Sequence, residues 1–260
     1  MFTEDMDVIA SSAAAKAEFC KRSVRGYLMA SVLAGFFIGL GVLAMSTAAG
    51  IFTAASSPFT KIISAFIFPA ALSLVVFAGA ELFTGNIFVM TVGMLEKKAF
   101  PCELLRILIL SYVGNLVGSM LCALIFAATG LGTGDTLSYI LSACETKTTL
   151  SALELMARGV LCNILVCLAV RCNLRMRSES ARLMMIFWCI FTFVICGFEH
   201  SVANMTMLTL GFILPHGGEI SGAGYVYNLF FVTLGNIIGG AAGVAVPYWM
   251  ISRPENKNNG

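Results

Sequence analysis

Long apolar runs separated by short polar segments dominate the chain. They lie at about 26–48, 60–94, 105–129, 152–171, 183–213 and 223–250. As helices, runs of 20 or more apolar residues can cross a hydrocarbon core of roughly 30 Å. The pattern therefore predicts six membrane spans. The second and fifth are too long for one straight crossing, and polar groups interrupt both. One carries Gly79-Ala80-Glu81-Leu82-Phe83-Thr84-Gly85-Asn86, the other Gly197-Phe198-Glu199-His200-Ser201-Val202-Ala203-Asn204. Each fits two half-helices joined by unwound backbone, with breaks expected near Phe83–Asn86 and His200–Asn204. At membrane depth such backbone is tolerated only where protein buries it or where it lines a cavity.

The two interruptions share one pattern, G-x-E-x-x-x-x-N, with Glu81 and Glu199 118 residues apart. Downstream, Gly114-Asn115-Leu116-Val117-Gly118 and Gly235-Asn236-Ile237-Ile238-Gly239 repeat at an offset of 121 residues. Two near-equal offsets point to an internal duplication. The predicted fold is an all-α membrane protein with repeat one over 26–130 and repeat two over 150–250. Three spans per repeat make the second half inverted relative to the first, and such repeats bring their broken helices together near the midplane.

Composition and charge sharpen this picture. At 58% hydrophobic and 12% charged residues the chain is no ordinary soluble domain. Thirteen of its sixteen Lys and Arg fall before span one, after spans two, four and six; Lys61, Lys147 and Arg158 lie on the other side. That asymmetry predicts a plasma-membrane protein with both termini in the cytoplasm. Residues 1–25 do not read as a signal peptide. They form an Ala-rich amphipathic helix, expected on the membrane surface as an anchor rather than a gate. Residues 251–260 make a short tail that includes Lys257. Glycines four apart, as at Gly35 and Gly39, favour close helix contacts. Lipid and small solutes are the expected partners, not nucleic acid.

His200 is the principal candidate site. Ionisable groups at bilayer depth are costly and usually face a path through the protein. A neutral imidazole can donate to an anion, and a protonated one attracts it more strongly. Thr84 and Asn86 can donate from the opposite repeat, and the N-termini of broken helices favour anions. Asn163, in mid-span, either contacts the anion or ties helices together. Glu81 and Glu199 are expected to accept hydrogen bonds from exposed backbone N–H groups at the breaks. Lys147, in an outer loop, could draw anions to an entrance. Phe193, Phe68, Leu72 and Leu82 could form apolar constrictions. Nine cysteines without a C-x-x-C are neither a disulfide framework nor a zinc site. They read as small apolar fillers, and Cys196, one turn before His200, is the exception to watch.

At these residues the chain resembles the formate/nitrite transporter family over nearly its whole length. Glu81-Leu82-Phe83-Thr84-Gly85-Asn86 and the Gly197–Met205 segment look like its two signature segments, joined by Lys147 and Asn163. The resemblance implies a homopentamer of aquaporin-like protomers, each with its own pore for small monovalent anions of weak acids. It makes His200 the central pore histidine, with Thr84 its partner and Lys147 and Asn163 beside the path. Leu72 with Phe193 would be the outer constriction, Leu82 with Val166 the inner one. Asn86 and Asn204, with the two glutamates, would support the breaks. Thr84-Gly85-Asn86 stands where formate channels often have Thr-Ser. The chain looks closest to the family's clostridial hydrosulfide channels, so hydrosulfide is the expected cargo, with nitrite, formate and chloride as alternatives.

Two other classes fit less well. An intramembrane enzyme would need an activated nucleophile or a metal set, and the chain has neither H-E-x-x-H nor G-x-S-x-G. With His200 and His216 its only histidines, no metal and no cofactor is expected. A neutral-solute pore would share the architecture.

Overall fold

A computed structural model describes residues 2–215 and 220–253. His216 and Lys257 lie outside the described residues. All regular structure among them is helical. In chain order the helices are α1 (Phe2–Arg22), α2 (Val24–Ala54), α3 (Thr60–Ile67), α4 (Pro69–Phe77), α5 (Phe83–Leu95), α6 (Pro101–Ala128), α7 (Gly134–Thr149), α8 (Ala152–Arg175), α9 (Glu179–Ile195), α10 (Ser201–Ile213), α11 (Gly222–Gly240) and α12 (Val246–Ser252). A π-helical turn, Ala241–Ala245, joins α11 to α12.

Local chemistry sets the boundaries. Ser23 separates α1 from α2 by accepting from the Gly26 N–H at 3.1 Å, a side-chain N-cap. Ser151 and Glu154 form a reciprocal capping box at the start of α8. Pro69 cannot donate to the preceding turn, and it divides α3 from α4.

Among the described residues, five stretches are long and apolar enough to cross a membrane: Val24–Ala54, Thr60–Phe77, Pro101–Ala128, Ala152–Arg175 and Gly222–Ser252. Helix α9, at 17 residues, falls just short. Helices α5 and α10 have 13 residues each, about 20 Å by the helical rise, and cannot cross alone. The outer connection expected as a loop before α8 is instead the 16-residue helix α7.

Both breaks fall earlier than predicted, at residues 78–82 and 196–200 rather than at 83–86 and 200–204. Glycine decides this. Gly79 and Gly197 have φ of +76° and +73°, the left-handed conformation that ends a helix at little cost only without a Cβ. In both, the next N–H reaches back over the last turn: Ala80 to the Val75 carbonyl at 2.9 Å and Phe198 to the Phe193 carbonyl at 3.0 Å.

The framework is built from two close helix pairs. A Cβ on Gly118 of α6 would lie 1.9 Å from the Val32 carbonyl of α2, and one on Gly35 2.0 Å from the Asn115 carbonyl. In the other half, Cβ atoms on Gly235 and Gly239 of α11 would lie 2.3 Å from the Met156 and Val160 carbonyls of α8. Only hydrogen side chains permit these approaches.

Helix α1 differs from the expected surface anchor. Met6, Ile9, Ala10, Ala13, Ala17 and Cys20 are buried, and Ala13 sits against Gly93 of α5. Asp5 pairs with Arg171 at 2.9 Å and Arg175 at 3.1 Å. The Arg171 guanidinium also lies 4.0 Å from the centre of the Tyr248 ring. The apolar face of α1 is thus satisfied by the helical bundle itself.

Candidate functional site

The breaks are held by matched asparagines. Asn115 Oδ1 accepts from the Phe83 N–H at 2.8 Å; its Nδ2 donates to the carbonyls of Ser31 at 2.7 Å and Glu81 at 3.0 Å. In the other half Asn236 Oδ1 accepts from the Ser201 N–H at 2.9 Å. Its Nδ2 donates to the carbonyls of Gly159 at 2.8 Å and Glu199 at 3.0 Å. The glutamate N–H groups are also matched: Glu81 donates to Ala30 O at 3.1 Å and Glu199 to Arg158 O at 3.3 Å. Each asparagine thus bridges an unwound segment to a long helix, α2 in the first half and α8 in the second, and satisfies backbone groups that would be costly to bury unpaired.

This corrects the role expected of the glutamates, whose carboxylates take side-chain donors instead. Glu81 accepts from Lys16 at 2.6 Å on both oxygens, from Tyr27 Oη at 3.0 Å and from Asn86 at 3.0 Å. Glu199 accepts from Lys147 at 2.8 Å on both oxygens and from Asn204. Asn86 also donates to Tyr27 Oη, and Asn204 to Asn228 Oδ1 at 2.8 Å. Lys147, expected as a loop cation, is a helical residue of α7 committed to Glu199. Lys16 of α1 stands in the corresponding place in the first half, so α1 matches α7. Sequence reasoning missed Lys16, Tyr27, Asn228 and the bridging work of Asn115 and Asn236. The Gly-Asn-x-x-Gly repeat was the available signal for the last two.

His200 is the N-cap of α10 and is buried. Its Nδ1 accepts from the Ala203 N–H at 3.1 Å, and its Nε2 lies 3.0 Å from Thr84 Oγ1. An Nδ1 that accepts carries no proton, so the neutral ring holds its proton on Nε2 and donates it to Thr84. The Thr84 hydroxyl proton is then uncommitted. Leu82, the N-cap of α5, occupies in the first half the position His200 occupies in the second. Asn163 lies within the same centre, but its amide protons go to the carbonyls of Asn236 at 2.7 Å and Thr84 at 3.3 Å. That leaves no donor for an anion.

The Phe193 ring stacks over His200 with centroids 5.9 Å apart and planes 14° apart. Phe68 meets Phe193 edge-on at 5.8 Å. Leu72, Leu82 and Val166 are buried in the same apolar cluster. A cavity of about 830 Å³ extends from Lys61, Arg158 and Lys147 past Phe68 and Phe193 to His200. It holds three cationic side chains against the carboxylates of Asp135 and Glu199. Cys196 is exposed at the end of α9 and is not among the residues lining this cavity. Among the described residues, no group of three or more His, Cys, Asp or Glu could hold a metal ion.

A family model described as the formate/nitrite transporter matches residues 3–250. The chain belongs to the formate/nitrite transporter family. It is 35% identical over 259 residues to the nitrite transporter NirC of Escherichia coli (strain K12), covering 99% of this chain and 95% of that protein. A solved structure titled an FNT family ion channel superposes with a TM-score of 0.91 at 32% identity, covering 96% of this chain and 100% of that one. A pentameric formate channel with formate bound superposes with a TM-score of 0.77 at 28% identity, over 89% and 98% of the two chains. This formate/nitrite transporter family member is therefore a multi-pass membrane transport protein, and the relatives it matches are transporters and channels rather than enzymes.

Proposed function

We propose that the protein is a pore for small monovalent anions of weak acids, with hydrosulfide as its cargo. In this reading six spans form two inverted three-helix repeats of aquaporin-like architecture, with both termini in the cytoplasm. Five protomers assemble, each with its own pore, in keeping with the pentameric formate channel that the chain resembles. The anion enters the cavity under the attraction of Lys61 and Arg158. It sheds water between Phe68, Leu72 and Phe193, pauses at Thr84 and His200, and leaves past Leu82 and Val166. Apolar collars exclude bare ions because desolvating a charge is expensive, so a hydrogen bond or a proton at the centre has to compensate.

The observation that carries the cargo is the donor count. Of the three polar side chains at the centre, the His200 proton is spent on Thr84 and both Asn163 amide protons on carbonyls. The Thr84 hydroxyl remains. One free donor suits an anion with one acceptor atom, as in hydrosulfide, better than the two-oxygen acceptors formate and nitrite, which remain the alternatives. The test is uptake into proteoliposomes. Hydrosulfide should enter fastest, nitrite and formate more slowly, and sucrose not at all. Uptake no faster than in protein-free vesicles, or formate and nitrite outrunning sulfide, would overturn the assignment.

A further inference from the structure

We propose that the Lys- and Arg-rich end of the molecule binds one anionic phospholipid in the cavity between α1 and α6. This cavity, of about 310 Å³, is separate from the one that reaches His200. Ala17, Cys20 and Lys21 of α1 form one wall; Glu103, Arg106 and Ile107 of α6 form the other.

Charge makes it a site for an anion. Lys21 pairs with Glu103 across the cavity. Arg106 is exposed and makes no ion pair or hydrogen bond among the described residues. Glu103 and the nearby Glu18 answer the charge of Lys21, which leaves Arg106 as the surplus cation at the cavity. The charge of Arg106 is felt inside it: burial pushes the Cys20 thiol up, and the Arg106 guanidinium pulls against that shift. The exposed Lys97 and Lys98, shortly before Phe100 at the cavity's lip, add to the field. Basic pockets between helices at a membrane surface are suited to lipid phosphates.

The adjoining surface says that the anion carries a tail. Leu105, Ile109, Val113 and Val117 are exposed in succession along α6 from beside Arg106. Twelve residues of helix make a stripe about 18 Å long, close to one leaflet of a roughly 30 Å core. A free phosphate would use the cations alone; a phospholipid uses both. Its headgroup would join α1 to α6 one helical turn beyond Lys16, the residue paired with Glu81, and so steady α1.

The experiment uses the full chain, delipidated in a neutral detergent, with thermal unfolding and native mass spectrometry as readouts. Phosphatidylglycerol, phosphatidylcholine and inorganic phosphate are the probes. Phosphatidylglycerol should raise the melting temperature and remain bound at one per chain, whereas phosphatidylcholine and phosphate should do neither. Arg106→Gln should weaken retention roughly tenfold, the loss of one charge-assisted hydrogen bond. Arg177→Gln, which removes a cation outside the cavity, should retain the lipid fully. Equal responses to the two lipids, a response to phosphate alone, or full retention in Arg106→Gln would overturn the proposal. So would the absence of any lipid response, the result expected if the α6 stripe is covered by a neighbouring subunit.

Discussion

At the scale of single residues, the two Lys–Glu pairs govern the cost of disturbing the site. The Lys147 side chain is 19% exposed and that of Glu199 5%. Removing one partner from a buried pair strands a charge and costs about 3–5 kcal/mol, while removing both can be close to neutral. The partial exposure of Lys147 puts Lys147→Met near the lower end of that range. The double variant Lys147→Met/Glu199→Gln should melt closer to wild type than Lys147→Met alone. A double-mutant cycle of melting temperatures checks this, and simple additivity would refute the coupling. Glu81, Glu199, Thr84 and His200 stood out in the sequence because each interrupts an apolar run. The lysines that pair with the two glutamates did not stand out as their partners: Lys16 was not singled out, and Lys147 was expected only as a loop cation. Lys16 is 65 residues from Glu81 and Lys147 is 52 from Glu199, and no local pattern links residues so far apart. The misassigned glutamates follow from this, because with no lysine linked to them the exposed backbone N–H groups were the obvious donors.

At the scale of helices, glycines act in two physically different ways, and substitution separates them. At Gly79 and Gly197 an added Cβ meets nothing within 4 Å, but φ is positive. Gly197→Ala should therefore fold and lose about 1–2 kcal/mol, the left-handed penalty for an L-residue. At Gly118 the Cβ would sit 1.9 Å from a backbone carbonyl. Gly118→Ala has to part α2 from α6 and should yield no monodisperse protein in detergent. Size-exclusion profiles and melting curves compare the two, and equal damage would contradict the distinction. The bridges predict a third outcome: Asn236→Ala leaves the Ser201 N–H and two carbonyls without their partner, at about 1–3 kcal/mol for each group left unsatisfied. The existence of the breaks was legible from their polar residues, but their position was not. Polar side chains mark the start of the second half-helix, whereas a single glycine ends the first. Helix α7 was missed because its Thr- and Ser-rich sequence carries no strong apolar run.

At the scale of the whole molecule, the fold follows from the apolar composition and from the matched motifs in the two halves of the chain. The long apolar runs have to become helices, and each half of the chain supplies one break and one asparagine bridge. The resulting framework brings Thr84 of one half to His200 of the other across 116 residues. The contact itself could not be read from spacing, because it depends on how the halves pack. What α1 packs its apolar face against was hidden for a related reason. An amphipathic helix can bury its apolar face in lipid or in protein, and only Lys16 and Asp5, once their partners are seen, decide for protein.

The central claim is that anions pass through the Thr84–His200 contact and are held there by the Thr84 hydroxyl. Sulfide flux into proteoliposomes carrying Thr84→Val, a near-isosteric change, tests it most directly. The account predicts a fall of roughly 10- to 100-fold, the worth of one hydrogen bond to a charged group, with a stability loss of about 1–3 kcal/mol from the His200 N–H left without its acceptor, and recovery of both in Thr84→Ser. Wild-type flux in Thr84→Val would contradict it.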